Sequence, residues 1–259
     1  MVTSGTDAES LQKLTARVVA THPAGRNLML IGGFRYRFLD NSVRTSDDID
    51  YHWAGDLDSK QSELIALFRR KLLPEAKRML GYEGDVARRS GPDADSPILR
   101  IVDLAFWKQD VPHSRVEIPV EITRIICADP VAVRTADGIL YATVSDADMI
   151  ESKVLAILNR HFLKHRDIVD LFLFQNQLRP DSGQRLAEKM ATLGIPVASA
   201  LKRIEDLRLN SNYHERAVQT IIDSQFHSVA SDQLNDAGGG ELVLSTAVDV
   251  LKKLMEEAQ

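Results

Sequence analysis

Several protein classes are ruled out by what this sequence lacks. Its 259 residues include one cysteine, Cys127, so no intramolecular disulfide can form and a reducing compartment fits. No apolar run approaches the ~20 residues that a membrane helix needs. The opening MVTSGTDAES is polar, with neither the basic start nor the apolar stretch of a secretory signal. Positive charge is also short, with 32 Lys and Arg against 37 Asp and Glu for a net charge of −5. That balance argues against a general electrostatic grip on nucleic acid. There is no internal repeat and no long low-complexity tract. What remains is a soluble chain, expected in the cytoplasm and away from membranes, long enough for one large domain or two moderate ones.

The most informative stretch is LMLIGGFRYRFLDNSVRTSDDIDYHW, Leu28 to Trp53. It reads as an apolar strand ending at Ile31, a Gly32-Gly33 break, a helical connector from Phe34 to Asp40, and a loop with Arg44 and Ser46. A second strand follows with Asp48, Ile49 and Asp50. Side chains alternate along a strand, so Asp48 and Asp50 project together while Ile49 packs inward. Two adjacent carboxylates repel unless a cation sits between them, most simply a hard divalent ion such as Mg2+. Paired glycines leading into a helix let a phosphate approach backbone N–H groups. The combination suits a metal-bound nucleoside triphosphate (NTP).

Around this stretch the chain divides into a mixed half and a helical half. An amphipathic helix is expected over Glu9–Ala20, with Leu11, Leu14, Val18 and Val19 at helical spacing. A second is expected over Ser59–Leu80, kinked or split by Pro74. Gly81–Pro97 reads as a loop or weak hairpin, and Ile98–Trp107 and Arg115–Ile126 as strands. Pro119 suggests that the second of these is an edge or carries a bulge. A short strand at Tyr141–Val144 follows the turn Ala136-Asp137-Gly138. Ser145 caps the next helix, with Asp148 three residues on. From there helices are expected to Gln259, with Asn235–Gly240 as a flexible link. The predicted fold class is α/β (α+β): a mixed sheet with flanking helices over residues 1–144, then an all-helical domain over 145–259.

Transfer of a nucleotide needs an acidic group to hold Mg2+ on the triphosphate and to activate a hydroxyl. Asp48 and Asp50 supply two carboxylates. Glu121, on the polar side of RVEIPVEI, is the best third, with Glu117 and Asp103 as alternatives. A lone strand carboxylate is usually just solvent-exposed; this pair stands out because Gly32, Gly33, Arg44 and Ser46 accompany it. Lys153 adjoins the apolar stripe of its helix, so its stem can follow packed surface while the ammonium reaches a cleft. Asp167 and Asp170 share a face near a helix N-terminus. Ordinary surface roles compete with these readings: a snorkelling lysine, and acids matching a helix dipole. Among the basic clusters, Arg69–Lys71 and Arg88–Arg89 read as solvated faces, whereas Arg160 and Lys164 suit RNA phosphates better. His161 and His165 have a zinc-compatible spacing but no third ligand nearby.

The run GGFRYRFLDNSVRTSDDIDYHW resembles the first motif of the polymerase-β-like nucleotidyltransferase superfamily. More narrowly, Arg44 to Asp50 resembles the AbiEii/AbiGii-type toxin family, as does VSDADMIESKVLAILNRHFLKHRDIVDLFLF with Lys153, Arg166, Asp167 and Asp170. The resemblance covers residues 28–175. It implies a nucleotidyltransferase-like sheet domain with a helical domain behind it and a substrate cleft between them. It also implies a Mg2+-dependent enzyme moving an NMP from an NTP, with RNA or a tRNA 3′ end as acceptor. Asp48, Asp50 and Glu121 would then be the metal and catalytic carboxylates, joined by Lys153 and Asp167. Gly32, Gly33, Arg44, Ser46, Lys153 and Asp170 would hold the nucleotide. A role as the toxin of a toxin–antitoxin or phage-defence pair, with a cognate antitoxin as partner, is implied as well. A small-molecule or protein adenylyltransferase, or a nucleotide-binding module without turnover, is the alternative.

Overall fold

The computed structural model describes residues 6–89, 96–109, 111 and 113–258. The start of the polar N-terminal stretch and residues 90–95 of the expected loop lie outside the described residues. The chain forms two compact units. The first, here the sheet unit, takes residues 1–41, 46–125 and 131–144; the second, the helical unit, takes 42–45, 126–130 and 145–259.

The sheet unit opens with helix α1 (Asp7–Ala20), whose N-cap Thr6 accepts a hydrogen bond from the Glu9 N–H. Strand β1 (Met29–Ile31) runs directly into helix α2 (Gly32–Leu39), which starts at the glycines rather than at Phe34. Strand β2 (Ile49–His52) follows, then helix α3 (Leu57–Leu67). A wider π turn over Phe68–Leu72 separates α3 from α4 (Leu73–Leu80). Pro74 comes just after that turn, in which the Leu73 N–H reaches back five residues to the Phe68 carbonyl, and the wider turn accommodates a proline inside a continuous helical run. The expected loop contains strand β3 (Glu83–Arg88), hairpinned to β4 (Leu99–Trp107). Strand β5 (Val116–Thr123) then leads to the hairpin of β6 (Ala132–Ala136) and β7 (Ile139–Thr143). Asp137 and Gly138 both have positive φ there, 48° and 74°, as a two-residue hairpin turn requires.

The sheet order is β3-β4-β5-β2-β1-β7-β6, with parallel pairs β2–β5 and β1–β7 and the rest antiparallel. Strand β5 is therefore interior, against the expectation from Pro119. Pairing with β2 begins at Val120, so Pro119 lies where that neighbour has not yet started and its missing N–H breaks no bond to it. One face of the central strands, with Ile49, Tyr51, Val102, Leu104, Ile118, Val120 and Ile122, joins Leu11, Leu14, Leu64, Leu67 and Phe68 in a single core. The opposite face is left for polar chemistry.

The helical unit comprises α5 (Asp146–Asn159), α6 (His165–Phe174), α7 (Ser182–Leu193), α8 (Val197–Leu209), α9 (Ser211–Gln225), α10 (Ser228–Asp236) and α11 (Gly239–Glu257). Its own core includes Val154, Ile157, Ile168, Leu171, Leu207, Val218, Ile222 and Leu251. The glycine run is not a link: α10 extends to Asp236, and Gly239 and Gly240 open α11. Gly240 packs so close to α9 that a Cβ there would lie 2.4 Å from the Glu215 carbonyl oxygen. Gly240→Ala should therefore destabilise the protein by about 1–3 kcal/mol through overpacking, seen as a lower Tm in a thermal melt.

Candidate active site

Parallel pairing of β2 with β5 places Asp50 directly beside Glu121. Asp48 stands one residue before β2, two positions from Asp50 and on the same side of the chain. A carboxylate oxygen from each of Asp48, Asp50 and Glu121 lies within 4.8 Å of the others. Among the described residues no other three acidic, histidine or cysteine side chains meet in this way. The two alternatives are engaged elsewhere. Asp103 binds Arg89 at 2.6 Å, and Glu117 is an exposed partner of Arg115 at 2.7 Å.

Three local devices hold the group. Gly32, at φ 79°, lies against Asp50, where a Cβ would come within 1.8 Å of the Asp50 Oδ2. Only glycine suits that place, on both backbone and steric grounds. The Ser46 hydroxyl donates to Asp48 Oδ1 at 2.8 Å and fixes the orientation of a buried carboxylate. Gln12 Nε2 in turn donates to the Ser46 carbonyl at 2.7 Å, pinning the loop to α1. Arg35 and Arg37, which follow the glycines, pair with Asp40 at 2.7 Å and Glu9 at 3.1 Å. A cavity of about 710 Å³ lined by His22, Asp58, Ser62, Glu63, Arg70 and Lys71 contains none of the three carboxylates. Donor geometry, not concavity, marks the chemistry.

The remaining expected residues gather within the helical unit, which includes residues 42–45. Arg44, only 2% exposed, clasps Asp170 with two parallel bonds, Nε to Oδ1 at 2.8 Å and Nη2 to Oδ2 at 3.0 Å. Its Nη1 donates to the Thr45 carbonyl and to Gln225 Oε1. Lys153 bridges Asp167 and Asp170, at 2.9 Å from each. Arg160 binds the other oxygen of Asp167. Burial alone would lower the Lys153 pKa, but the Asp167 and Asp170 carboxylates hold it above its ordinary value. Burial alone would raise Asp170, yet Lys153 and Arg44 outweigh that and hold it below the usual carboxylate range. The structure thus gathers Arg44, Lys153, Asp167 and Asp170 into one buried ion network.

Two features went unread in the sequence. Asp148 and Glu151 on α5 meet Arg185 and Lys189 on α7: Lys189 Nζ lies 2.6 Å from both carboxylates, and Arg185 binds both together with Asp129. Their i,i+3 acidic and i,i+4 basic spacings were the signal for facing helices. His165 is engaged by His214, with Nε2 and Nδ1 2.9 Å apart, rather than by His161. Helix α5 ends at Asn159 and α6 starts at His165, so the two histidines do not share a helical turn.

No protein-family model and no curated protein matches the chain. Solved structures do. A Helicobacter pylori protein put forward as a nucleotidyltransferase superposes with a TM-score of 0.57 at 14% identity, over 98% of this chain and 97% of that one. JHP933 from Helicobacter pylori does so at 0.55 and 13%, over 97% and 91%. The chain has the nucleotidyltransferase fold. MenT4, a nucleotidyltransferase toxin of Mycobacterium tuberculosis, superposes more loosely, at 0.49 and 14%, over 98% and 95%. At such identities likeness speaks for fold and leaves activity to the residues. Among the described residues no helix is long and apolar enough to cross a membrane.

The ion network makes a signed prediction. Asp170→Asn leaves Lys153 and Arg44 facing a neutral amide and should cost about 3–5 kcal/mol in urea unfolding at pH 7. The folded pKa of Asp170 lies below its unfolded value of about 3.9. Its contribution is therefore present above that value and lost as pH falls through the lower folded one. Wild type and variant should converge in stability as the melts are repeated below about pH 4.

Proposed function

We propose that this chain is a Mg2+-dependent nucleotidyltransferase that moves an NMP from an NTP to an acceptor hydroxyl. The acceptor is an RNA, a tRNA 3′ end first, and the protein acts as the toxin of a bacterial toxin–antitoxin or phage-defence pair. The observation that carries the catalytic reading is the meeting of Asp48, Asp50 and Glu121 within 4.8 Å on a sheet of this fold. The RNA acceptor, the toxin role and an antitoxin partner rest on the resemblance of two ordered motifs to the AbiEii/AbiGii-type family.

The donor set fits the metal: three carboxylates offer hard oxygen ligands, and the missing Cβ at Gly32 leaves room for Asp50 beside the backbone. Mg2+ held there would neutralise triphosphate charge and ease deprotonation of the acceptor hydroxyl. Asp48 and Asp50 hold that charge in place, with Ser46 keeping Asp48 in one orientation. Gly32 and Gly33, at the start of α2, offer backbone N–H groups to phosphate oxygens. Glu121 completes the acidic set and takes the proton of the attacking hydroxyl. The acceptor oxygen bonds to the α-phosphorus, the bond from that phosphorus to the bridging oxygen breaks, and pyrophosphate leaves. The resemblance adds Lys153 as the cation for the triphosphate oxygens, and Asp167 and Asp170 favour its charged form. Arg44 acts through Asp170, sharing its carboxylate with Lys153. The net charge of −5 favours one competing reading, a small-molecule or protein adenylyltransferase that needs no RNA.

The test incubates the protein with Mg2+, each labelled NTP and total RNA, beside Asp48→Ala/Asp50→Ala. Label should appear on RNA with wild type and fall to background with the double variant. Absence of transfer with all four nucleotides to RNA or protein overturns the enzyme reading, and equal transfer by the double variant overturns the site. Transfer to a small molecule or protein without RNA selects the competing reading. Ser46→Ala, which frees Asp48 from its orienting hydroxyl, should weaken metal-dependent activity about 10–100-fold in a Mg2+ titration.

A further inference from the structure

Phe162 is the most exposed large apolar side chain among the described residues, at 81%. It belongs to the connection between α5 and α6, in the run Arg160-His161-Phe162-Leu163-Lys164-His165-Arg166. The connection is anchored, not loose. Leu163 packs on the core of the helical unit, and Arg203 of α8 donates to the Arg160 carbonyl at 2.6 Å. The His161 ring sits edge-on to Phe162, with centroids 4.5 Å apart. A second exposed aromatic, Tyr213 in the first turn of α9, is 66% exposed and stands 5.8 Å from the His165 ring.

The charges around these rings are mostly positive. Lys164 is exposed and has no acidic partner among the described residues. Arg160 keeps 42% exposure although one side is bound to Asp167. Acids are present as well: besides Asp167, Asp206 is 3.6 Å from His214 and 3.9 Å from Arg203. Exposed rings among cations match the two faces of an unpaired nucleotide: a base offers its π-face for stacking, and its phosphate a negative charge. The three residues from Phe162 to His165 reach at most roughly 10 Å, and Tyr213 lies just beyond. Both rings therefore fall within one short segment of single strand.

We propose that this surface of the helical unit binds single-stranded RNA, with Phe162 and Tyr213 stacking on unpaired bases and Arg160 and Lys164 meeting phosphates. It deepens the proposed function, resting on RNA as the acceptor, by giving that RNA a docking surface on the helical unit. The test measures binding of a short labelled single-stranded RNA to the full chain by fluorescence anisotropy, without Mg2+ or NTP. Phe162→Ala and Tyr213→Ala should each raise Kd about 5- to 100-fold with an unchanged circular-dichroism melt. Lys164→Gln should flatten the slope of log Kd against log salt by about 0.7. A duplex of the same sequence should bind more weakly, since its bases are already stacked. Absence of binding at low salt, wild-type affinity in both aromatic variants, or equal affinity for duplex overturns the proposal. So does a wild-type dimer that Phe162→Ala converts to monomer in light scattering, which would give the surface to a second copy. The two proposals fail separately. RNA labelling with no contribution from Phe162 or Tyr213 removes only this surface, and binding without label transfer removes only the enzyme reading.

Discussion

Three carboxylates held within 4.8 Å repel one another, and the sheet unit is built to keep them there. The register of β2 on β5 sets Asp50 beside Glu121, and a one-residue slip would turn one of them into the core. That slip is opposed by the other side of the same strands, where Ile49, Tyr51, Val120 and Ile122 are buried. Apolar packing on one face thus holds like charges together on the other. The small devices around them, Gly32 against Asp50 and Ser46 on Asp48, add placement, not binding strength. Strong local repulsion in a fixed frame is what gives such a group its affinity for a cation.

The helical unit solves the converse problem. Arg44, Lys153, Asp167 and Asp170 are taken out of water, which costs several kcal/mol per ion unless the pairing geometry is good. Here each buried carboxylate has two cationic partners and Arg44 is bonded along both edges. Such a network is unforgiving of losing one member, and its two carboxylates hold the Lys153 pKa above the ordinary lysine value. The Asp148, Glu151, Arg185 and Lys189 group repeats the pattern between α5 and α7. In both places polar contacts fix how the helices meet, and the apolar stripes supply the driving force.

Much of this was legible in the residues because it depends on local pattern. The strand–glycine–helix run, the Ser145 cap and the apolar stripes of α1 and α5 follow from period and capping chemistry. Glu121 could be preferred for its position on the polar side of its strand, but only long-range pairing shows that it, and not Glu117 or Asp103, adjoins Asp50. Pro119 misled for the same reason, since whether a proline breaks a ladder depends on where the neighbouring strand begins. The glycines that lead into and open α11 read as slack, yet Gly240 is there because α9 passes too close for a side chain. Arg44 and Ser46 were singled out by their nearness to the aspartates, whereas their partners, Asp170 for one and Asp48 for the other, are a matter of tertiary contact.

The four residues from Ser42 to Thr45 lie in sequence between β1 and β2 but belong to the helical unit. They are strapped there by the Arg44–Asp170 pair, a bridge from Arg44 to Phe226 and the Thr45 N–H bond to the Gln225 carbonyl at 2.9 Å. No single cut in the chain separates one unit from the other. A gene fragment encoding either half would strand a buried charge, Arg44 in one product and Asp170 in the other. The two units are thus bound to be inherited together, and exchange of one for a foreign counterpart would have to carry this short strap with it.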